Sequence, residues 1–334
     1  MAGTGMNPIS TVPSAGNPSA PMAGSTGMVP VAGAGSGTAG SGAGSAGMGA
    51  AGAGVPPGTS GIVNQPINYN DPELECYELR AHQGSNLMQP YMVGVVADRY
   101  IRIPFDAPWD GTVYARSFRV LTDNAQVIHH WLFYDNTSGG QQLVHGWAPG
   151  GSDAYFTPDI GMQLKDGAYS IEYHYNSQDP SATDASGVEV CVTPTAPEHV
   201  ATISWLGTDA IFGASASGTC DPTSNERVRI IGATPHMHLK GTHMKVVKQG
   251  TGGDMVLHDM PFDFDLQRGY PSDIWVEPGE KIVTTCTYNA PSTFGPGTND
   301  EMCYWFAVHY PANGLVDGGG LGSAIHGPNT CLGL

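Results

Sequence analysis

Short runs of alternating apolar and polar residues fill the chain from about residue 100 onward. The clearest runs are residues 100–105, 127–134, 169–175, 188–193, 200–205, 228–231, 281–288 and 302–310. They are rich in Val, Ile, Thr, Tyr and Phe, and Gly, Pro, Asn and Asp interrupt them at close intervals. There is no long run of helical period. The pattern predicts an all-β protein built from sandwiches or barrels.

The first part of the chain differs from the rest in amino-acid composition. Residues 1–70 are mostly Gly, Ala, Ser, Thr, Pro and Met, and the first charged residue is Asp71. Such a segment buries too little apolar surface to offset its ordering entropy, so we expect a disordered tether. It has no basic start followed by an apolar block, so a signal peptide is not recognisable in it. Whether an export signal or anchor precedes residue 1 stays open.

Charge narrows the range of partners. The chain has 30 acidic against 13 basic residues and a formal net charge of −17. Nucleic acids and anionic membranes both need a basic patch, so neither is an expected partner. No stretch approaches the roughly 18 apolar residues of a membrane span. The remaining 264 residues (334 − 70) suffice for one large or two ordinary domains.

The six cysteines indicate the compartment. They are widely spaced, and none lies in a Cys-x-x-Cys pair, which disfavours zinc ribbons and thioredoxin-like chemistry. The alternatives are three disulfides in an extracellular or periplasmic protein and six buried thiols in a cytosolic one. The Gly/Ser-rich leader favours the disulfides and an exported protein. A tether of this kind often links an anchored terminus to an outward-facing domain, so attachment at the cell surface is a hypothesis.

The strongest chemical motif is a His-x-His pair in residues 234–241. His236 and His238 follow an apolar run, and alternate residues of a strand point to the same face. Two imidazoles one residue apart can hold one transition-metal ion. The alternative is a pair of surface histidines, because His-x-His by itself is a common sequence.

Two further segments carry histidines. His129 and His130 are neighbours, so both can bind one ion only where the strand is irregular or at an edge. Glu172, His174 and Asn176 share one face of another strand, and that face could line a cleft. Histidines that are buried and hydrogen-bonded remain the alternative for both segments.

The last segments lie towards the C-terminus. Residues 262–267 alternate apolar and polar, as a strand does, and residues 284–289 form another predicted strand. Met302 and Cys303 would point in opposite directions on a strand, so Cys303 could enter the core and pair with Cys286. Met302 is then either core filler or a thioether ligand, which favours Cu(I).

These motifs occur in one order: His-His, Tyr-His-Tyr, His-Met-His-Leu-x-Gly, Pro-Gly-Glu…Thr-x-Cys-x-Tyr-Asn and Asp-Glu-Met-Cys. In that order they resemble the copper type II ascorbate-dependent monooxygenases, a family that includes peptidylglycine α-hydroxylating monooxygenase and dopamine β-monooxygenase. The resemblance implies two jelly-roll-like antiparallel β-sandwich domains facing each other across a cleft. We place them at residues 71–203 and 204–334.

The resemblance also implies two coppers per chain, with ascorbate or another one-electron reductant as co-substrate. An electron-transfer copper would be held by His129, His130 and His174. A catalytic, oxygen-binding copper would be held by His236, His238 and Met302. The family's disulfide pattern implies Cys76–Cys191, Cys220–Cys331 and Cys286–Cys303.

Departures from the family pattern bear on the substrate. Peptide-amidating relatives hold a substrate carboxylate with Arg, Asn and Tyr, where this chain has Thr234, Tyr304 and Phe306. A neutral or aromatic small molecule is therefore expected, with O₂ as the other substrate. Glu172 stands where relatives often have Gln, which puts an electron-transfer role there in doubt. His309 lies among aromatic residues and is expected to be a satisfied core residue.

The leading function is a copper-dependent monooxygenase that hydroxylates a C–H bond of a small organic substrate. Two alternatives remain: a non-enzymatic extracellular copper-binding protein, and a β-sandwich binding module with incidental histidines. A zinc hydrolase is a weaker possibility, since three imidazoles could also hold zinc and water. Oligomeric state and substrate identity stay open.

Overall fold

The computed structural model describes residues 61–137, 140–316, 326 and 329–333. Every element bounded within these residues is a β-strand, which confirms the all-β prediction. No helix in this part of the chain is long and apolar enough to cross a membrane. The strands are β1 Ile62–Val63, β2 Glu75–Arg80, β3 His82–Gln83, β4 Asn86–Met92, β5 Val96–Asp106, β6 Thr112–Leu121, β7 Ile128–Asp135, β8 Gln142–Trp147, β9 Ala154–Phe156, β10 Ile160–Lys165, β11 Ala168–Ser177, β12 Thr183–Asp184, β13 Gly187–Thr193, β14 His199–Gly207, β15 Phe212–Cys220, β16 Val228–His236, β17 Gly241–Gln249, β18 Met255–Pro261, β19 Tyr270–Val276, β20 Lys281–Thr293, β21 Tyr304–Tyr310 and β22 Thr330–Leu332.

The first sandwich packs a four-stranded sheet, in the order β5-β11-β7-β8, against β2, β13, β6 and β10 of a larger sheet. Alternation along the strands determines which side chains enter the core. Ile171, Tyr173 and Tyr175 of β11 are 0% exposed, as are Trp131 and Phe133 of β7. Burying side chains of this size contributes roughly 1.5–3 kcal/mol each, which makes this the main stabilising layer.

The second sandwich packs the sheet β15-β20-β17-β18 against β16, β19 and β21. Its core contains Ile230 from β16, Met244 and Val246 from β17, and Trp305 from β21, all 0% exposed. Strands β12, β4 and β3 form a small three-stranded sheet that does not pair with the described strands of either sandwich.

Strand β14 joins the two sandwiches. Its residues His199–Ala201 pair in parallel with β10, and from Thr202 onward it pairs antiparallel with β21. The predicted boundary after residue 203 therefore lies inside β14, next to the point where the strand changes partner. A third apolar cluster includes Tyr134 and Leu143 of the first sandwich and Trp205 and Phe306 from the shared sheet. One large sheet thus runs through both halves and holds them together.

All six cysteines are paired. The disulfides are Cys76–Cys191, Cys220–Cys331 and Cys286–Cys303, the three pairs that the family resemblance implies. Cys76–Cys191 links the paired strands β2 and β13, Cys220–Cys331 links β15 to β22, and Cys286–Cys303 links β20 to the residue before β21. Three disulfides are typical of a protein that folds in an oxidising compartment.

The end of the predicted tether takes part in the fold. Residues 1–60 lie outside the described part of the chain. Ile62 and Val63, which composition assigned to the tether, pair with Phe156 and Tyr155 as β1, and Ile62 is 7% exposed. The prediction was too long at this end because an apolar pair inside a low-complexity segment was given no weight.

Candidate metal centres

The first histidine group depends on a β-bulge. Along β7 and β11, His130 lies opposite His174, but the next pair is Ile128 with Tyr175, so His129 is an extra residue on β7. A bulge re-aims the side chain of the inserted residue. His129 and His130 therefore turn to the same side although they are neighbours in sequence. This is the irregularity that the sequence required for two adjacent ligands.

The nitrogens of this group converge. The Nδ1 atoms of His129 and His130 are 3.1 Å apart. One ligand nitrogen from each of His129, His130 and His174 lies within 4.8 Å of the others. Nitrogens bound to one ion at about 2.0–2.1 Å are separated by about 3 Å, so the spacing suits a three-imidazole site. Nδ1 of His174 is buried and has no hydrogen-bond partner among the described residues, as an unoccupied ligand atom would.

Burial keeps these imidazoles neutral. It lowers the pKa of His174 to about 4, with a smaller contribution from His129, and moves the pKa of His130 well below its ordinary range. The pKa of His129 is lowered for the same reason. A neutral imidazole offers its lone pair to a metal without competition from a proton. The triad is therefore ready to bind a metal at neutral pH.

The second group lies at the end of β16. His236 is the last residue of that strand, and His238 follows it in a turn rather than on the strand. The prediction that both lie on one strand face was therefore wrong. The turn nevertheless brings the rings to a centroid separation of 5.3 Å at an angle of 88°. Burial lowers the pKa of His236 to about 3 and also lowers the pKa of His238.

Each histidine of the second group has one nitrogen available. Nδ1 of His236 is 2.8 Å from Oε1 of Gln267, so this ring donates there and leaves Nε2 free for a metal. His238 is 2% exposed, and its Nδ1 finds no hydrogen-bond partner in the described part of the chain. These features fit two imidazole ligands. Sequence reasoning missed Gln267, because its 31-residue separation from His236 carries no local signal.

Met302 is tied to this turn through its neighbour Glu301. The Glu301 carboxylate is 0% exposed and accepts hydrogen bonds from the backbone N–H groups of His238, at 2.9 Å, and Lys240, at 2.6 Å. Met302 itself packs on the apolar cluster that contains Phe306, whose ring is 5.4 Å from that of His236. The structure thus places the thioether residue beside the His-x-His turn, and its role as a ligand stays a prediction.

A cavity of about 110 Å³ adjoins one histidine of each group. His130 of the first group and His236 of the second both line it. Apolar side chains from both sandwiches make up much of the wall, including Leu132, Trp147 and Phe306. One histidine of each group therefore faces the same small, mostly apolar space.

The loop between β18 and β19 closes over the first group. Residues 262–267, which alternate as a strand would, instead form a turn with a hydrogen bond from the N–H of Leu266 to the carbonyl of Asp263. The alternation does not form a strand here, because these six residues include no β-branched side chain, the type that favours strands. The turn stacks the Phe264 ring on His129 at 4.3 Å and brings Asp265 within 3.6 Å of the same ring.

The positions that depart from the family pattern have different surroundings. Thr234 and Phe306 line the cavity. Tyr304 does not face it, since it is 0% exposed and its hydroxyl bonds to Asp209 and lies 3.1 Å from Nε2 of His326. Tyr304 is therefore a structural residue here rather than a substrate contact.

Two other polar residues singled out in the sequence, His309 and Glu172, both have partners in the structure. His309 is buried and bonded on both nitrogens, to the Ser204 hydroxyl at 2.8 Å and the Pro311 carbonyl at 3.1 Å, which confirms it as a satisfied core residue. Glu172 forms an ion pair with Arg102 at 2.5 Å, so its carboxylate has a partner outside the histidine group.

Comparisons with known proteins agree with this arrangement over part of the chain. Residues 213–316, which include His236, His238 and Met302, match the family described as copper type II ascorbate-dependent monooxygenase, C-terminal domain. A Homo sapiens DBH-like monooxygenase protein 2 is 28% identical over 205 residues, 52% of this chain and 41% of that protein. Dopamine beta-hydroxylase of Canis lupus familiaris is 24% identical over 205 residues, 52% of this chain and 33% of that protein.

The match is partial in both directions. The chain spans about two fifths or less of the curated relatives it matches. Among solved structures, one titled "Structure of PNGF-II in C2 space group" aligns with a TM-score of 0.30 and 8% identity, covering 71% of this chain and 64% of that chain. That likeness is too distant to bear on function.

Proposed function

We propose that this chain, a relative of the copper type II ascorbate-dependent monooxygenases, hydroxylates a C–H bond of a small organic substrate with O₂ and a one-electron reductant such as ascorbate. The observation that carries the proposal is that two buried, neutral histidines, His130 of the first group and His236 of the second, line one cavity. His129, His130 and His174 would hold one copper, and His236, His238 and Met302 the other. Bound copper would supply the one-electron chemistry that side chains alone lack.

The protein keeps the proposed ligands uncharged, correctly oriented and buried away from solvent. Burial removes proton competition at His174 and His236, whose pKa values fall to about 4 and about 3. Gln267 holds His236 through Nδ1, and Glu301 holds the backbone of His238. A thioether beside two imidazoles favours Cu(I), which suits a centre that must be reduced before O₂ is used.

The cavity supports a small, uncharged substrate. Its volume of about 110 Å³ is comparable with the roughly 150 Å³ of an engineered cavity that binds benzene. Among the described residues, Asp153 is the only carboxylate on its wall, and it accepts hydrogen bonds from the N–H of Val120 at 2.8 Å and the hydroxyl of Tyr155 at 3.1 Å. No Arg or Lys of the part of the chain that the structure describes lines this cavity. A substrate with a free carboxylate would thus find no cation there, whereas an aromatic or aliphatic group would contact Leu132 and Phe306.

The test combines metal analysis with turnover. The purified protein, loaded with copper, should hold two coppers per chain and consume O₂ with ascorbate and a panel of small apolar compounds, giving products heavier by one oxygen atom. Met302→Ile should reduce product formation by at least about 100-fold, because losing a ligand exceeds the 10–100-fold effect of losing its outer-shell partner.

Controls separate this function from its alternatives. Met88→Ile is the matched control, since Met88 is 90% exposed and is not among the described residues that line the cavity. Full turnover in Met302→Ile would remove that residue from the mechanism. Two coppers without oxygenation of any compound would indicate a copper-binding protein, and no stoichiometric metal would indicate a β-sandwich binding module.

A further inference from the structure

Asp98 has an unusual backbone conformation beside the first histidine group. Its φ is +54°, a left-handed value that non-glycine residues seldom adopt and that Asp tolerates better than most. It lies where β5 loses register with β11, between the pairs Tyr175 with Arg99 and Ser177 with Val96. Such an irregularity re-aims a side chain.

The re-aimed carboxylate bonds to a predicted metal ligand. Oδ1 of Asp98 is 2.7 Å from Nε2 of His174. The hydrogen bond fixes the proton on Nε2 and leaves Nδ1 of His174, the unpartnered nitrogen, facing the other two imidazoles. Tyr100 stacks on the face of the same ring, with centroids 4.2 Å apart and planes 6° apart. His174 is thus held in both angle and plane.

The same oxygen reaches the second sandwich. The hydroxyl of Thr298, in the loop before Met302, also donates to Oδ1 of Asp98. Thr298 is also 3.5 Å from the Tyr100 hydroxyl. One carboxylate oxygen therefore joins a histidine of the first group to the loop that carries the predicted thioether ligand of the second.

That loop is in turn bound to the His-x-His turn. The Lys240 ammonium donates to the Asn299 carbonyl at 2.5 Å, and Glu301 accepts from the backbone N–H of His238 at 2.9 Å. A hydrogen-bonded connection thus runs from His174 through Asp98 and Thr298 to His238. Its far end is buried, and its middle is at the protein surface, where Asp98 has a side-chain exposure of 39%.

We infer that Asp98 is a positioning residue that orients His174 for metal binding and, through Thr298, sets the separation of the two metal-ligand groups. The inference rests on the proposed function for the identity of the metal, copper. It does not rest on turnover, because orientation and separation can both be measured without any substrate.

The first test is copper affinity at the first group, measured in a background where His236→Ala and His238→Ala remove the second. Asp98→Gly deletes the side chain without straining the left-handed backbone. It should weaken copper binding about 10- to 100-fold and alter the Cu(II) EPR spectrum. Asp98→Asn keeps an oxygen acceptor and the backbone preference, so it should restore most of the affinity and the spectrum.

The second test is the distance between the two coppers in the full ligand set, measured by pulsed EPR on the Cu(II) protein. Thr298→Val removes only the hydroxyl, so copper affinity at the first group should stay at the wild-type value while the distance distribution broadens or shifts. Thr298→Ser should return it to the wild-type form. Asp221→Ala is the control, because Asp221 is 57% exposed and pairs with Lys281 rather than with a histidine of either group, and neither readout should move.

The outcomes are distinct. Wild-type copper affinity in Asp98→Gly would overturn the orienting role, and an unchanged distance distribution in Thr298→Val would overturn the connection. Expected changes in a protein that oxygenates no compound would support the role of Asp98 and defeat only the proposed function. Continued oxygenation with wild-type affinity in Asp98→Gly would do the reverse.

Discussion

Glu301 provides the sharpest prediction about stability. Its buried carboxylate accepts two backbone hydrogen bonds, from His238 at 2.9 Å and Lys240 at 2.6 Å, and so joins the His-x-His turn to the residue before Met302. Burial raises the pKa of Glu301, while the backbone N–H groups oppose that rise. The two backbone N–H groups stabilise the buried carboxylate, and the carboxylate satisfies both donors.

Glu301→Ala leaves both N–H groups without an acceptor. A buried donor left unsatisfied costs about 1–3 kcal/mol, so we expect the free energy of unfolding to fall by about 2–6 kcal/mol. Glu301→Gln keeps one amide oxygen and should cost about half as much. Because the turn carries His238, copper affinity at the second group should weaken in the same order, Ala more than Gln.

Urea unfolding followed by tryptophan fluorescence measures the first quantity, since Trp305 is 0% exposed in the second core. Copper titration of the same variants measures the second. Glu277→Ala is the control, because Glu277 makes an exposed ion pair with Arg227 that is worth at most about 1 kcal/mol. A loss below about 1 kcal/mol in Glu301→Ala, with wild-type copper affinity, would refute the reasoning.

Three further predictions follow from single contacts. Replacing both cysteines of Cys286–Cys303, a 17-residue separation, should lower the free energy of unfolding by about 3 kcal/mol in urea titrations, and no loss would contradict the loop-entropy argument. Burial lowers the pKa of His309 to about 3, so stability should be full above pH 6.5 and fall by up to about 1.4 kcal/mol per pH unit towards pH 3. His309→Gln should flatten that slope, and an unchanged slope would assign it to other groups. Gln267→Ala should weaken copper at the His236 group about 10- to 100-fold by titration, with Gln267→Glu closer to wild type, and equal affinity in all three would exclude an orienting role.

The sequence by itself determined the all-β character, the approximate extent of the main strands and the identity of the histidines proposed as metal ligands. Residues 127–134 and 169–175 were predicted strands, and β7 and β11 cover them because their alternation places Trp131, Phe133 and Tyr173 in one core. Two adjacent ligands on a strand required an irregular backbone, and β7 has it. These inferences succeed because alternation and local geometry act over a few residues.

Only the tertiary structure decided what surrounds those histidines. Asp98, Gln267 and Phe264 reach them from separations of 76, 31 and 135 residues, the last being 264 − 129. No pattern in the chain signals such pairs, because they depend on where a bulge re-aims a carboxylate and where a turn replaces an expected strand. Local periodicity selects the elements, whereas the packing of two sheets selects which loops meet, and the candidate metal centres lie where those loops meet.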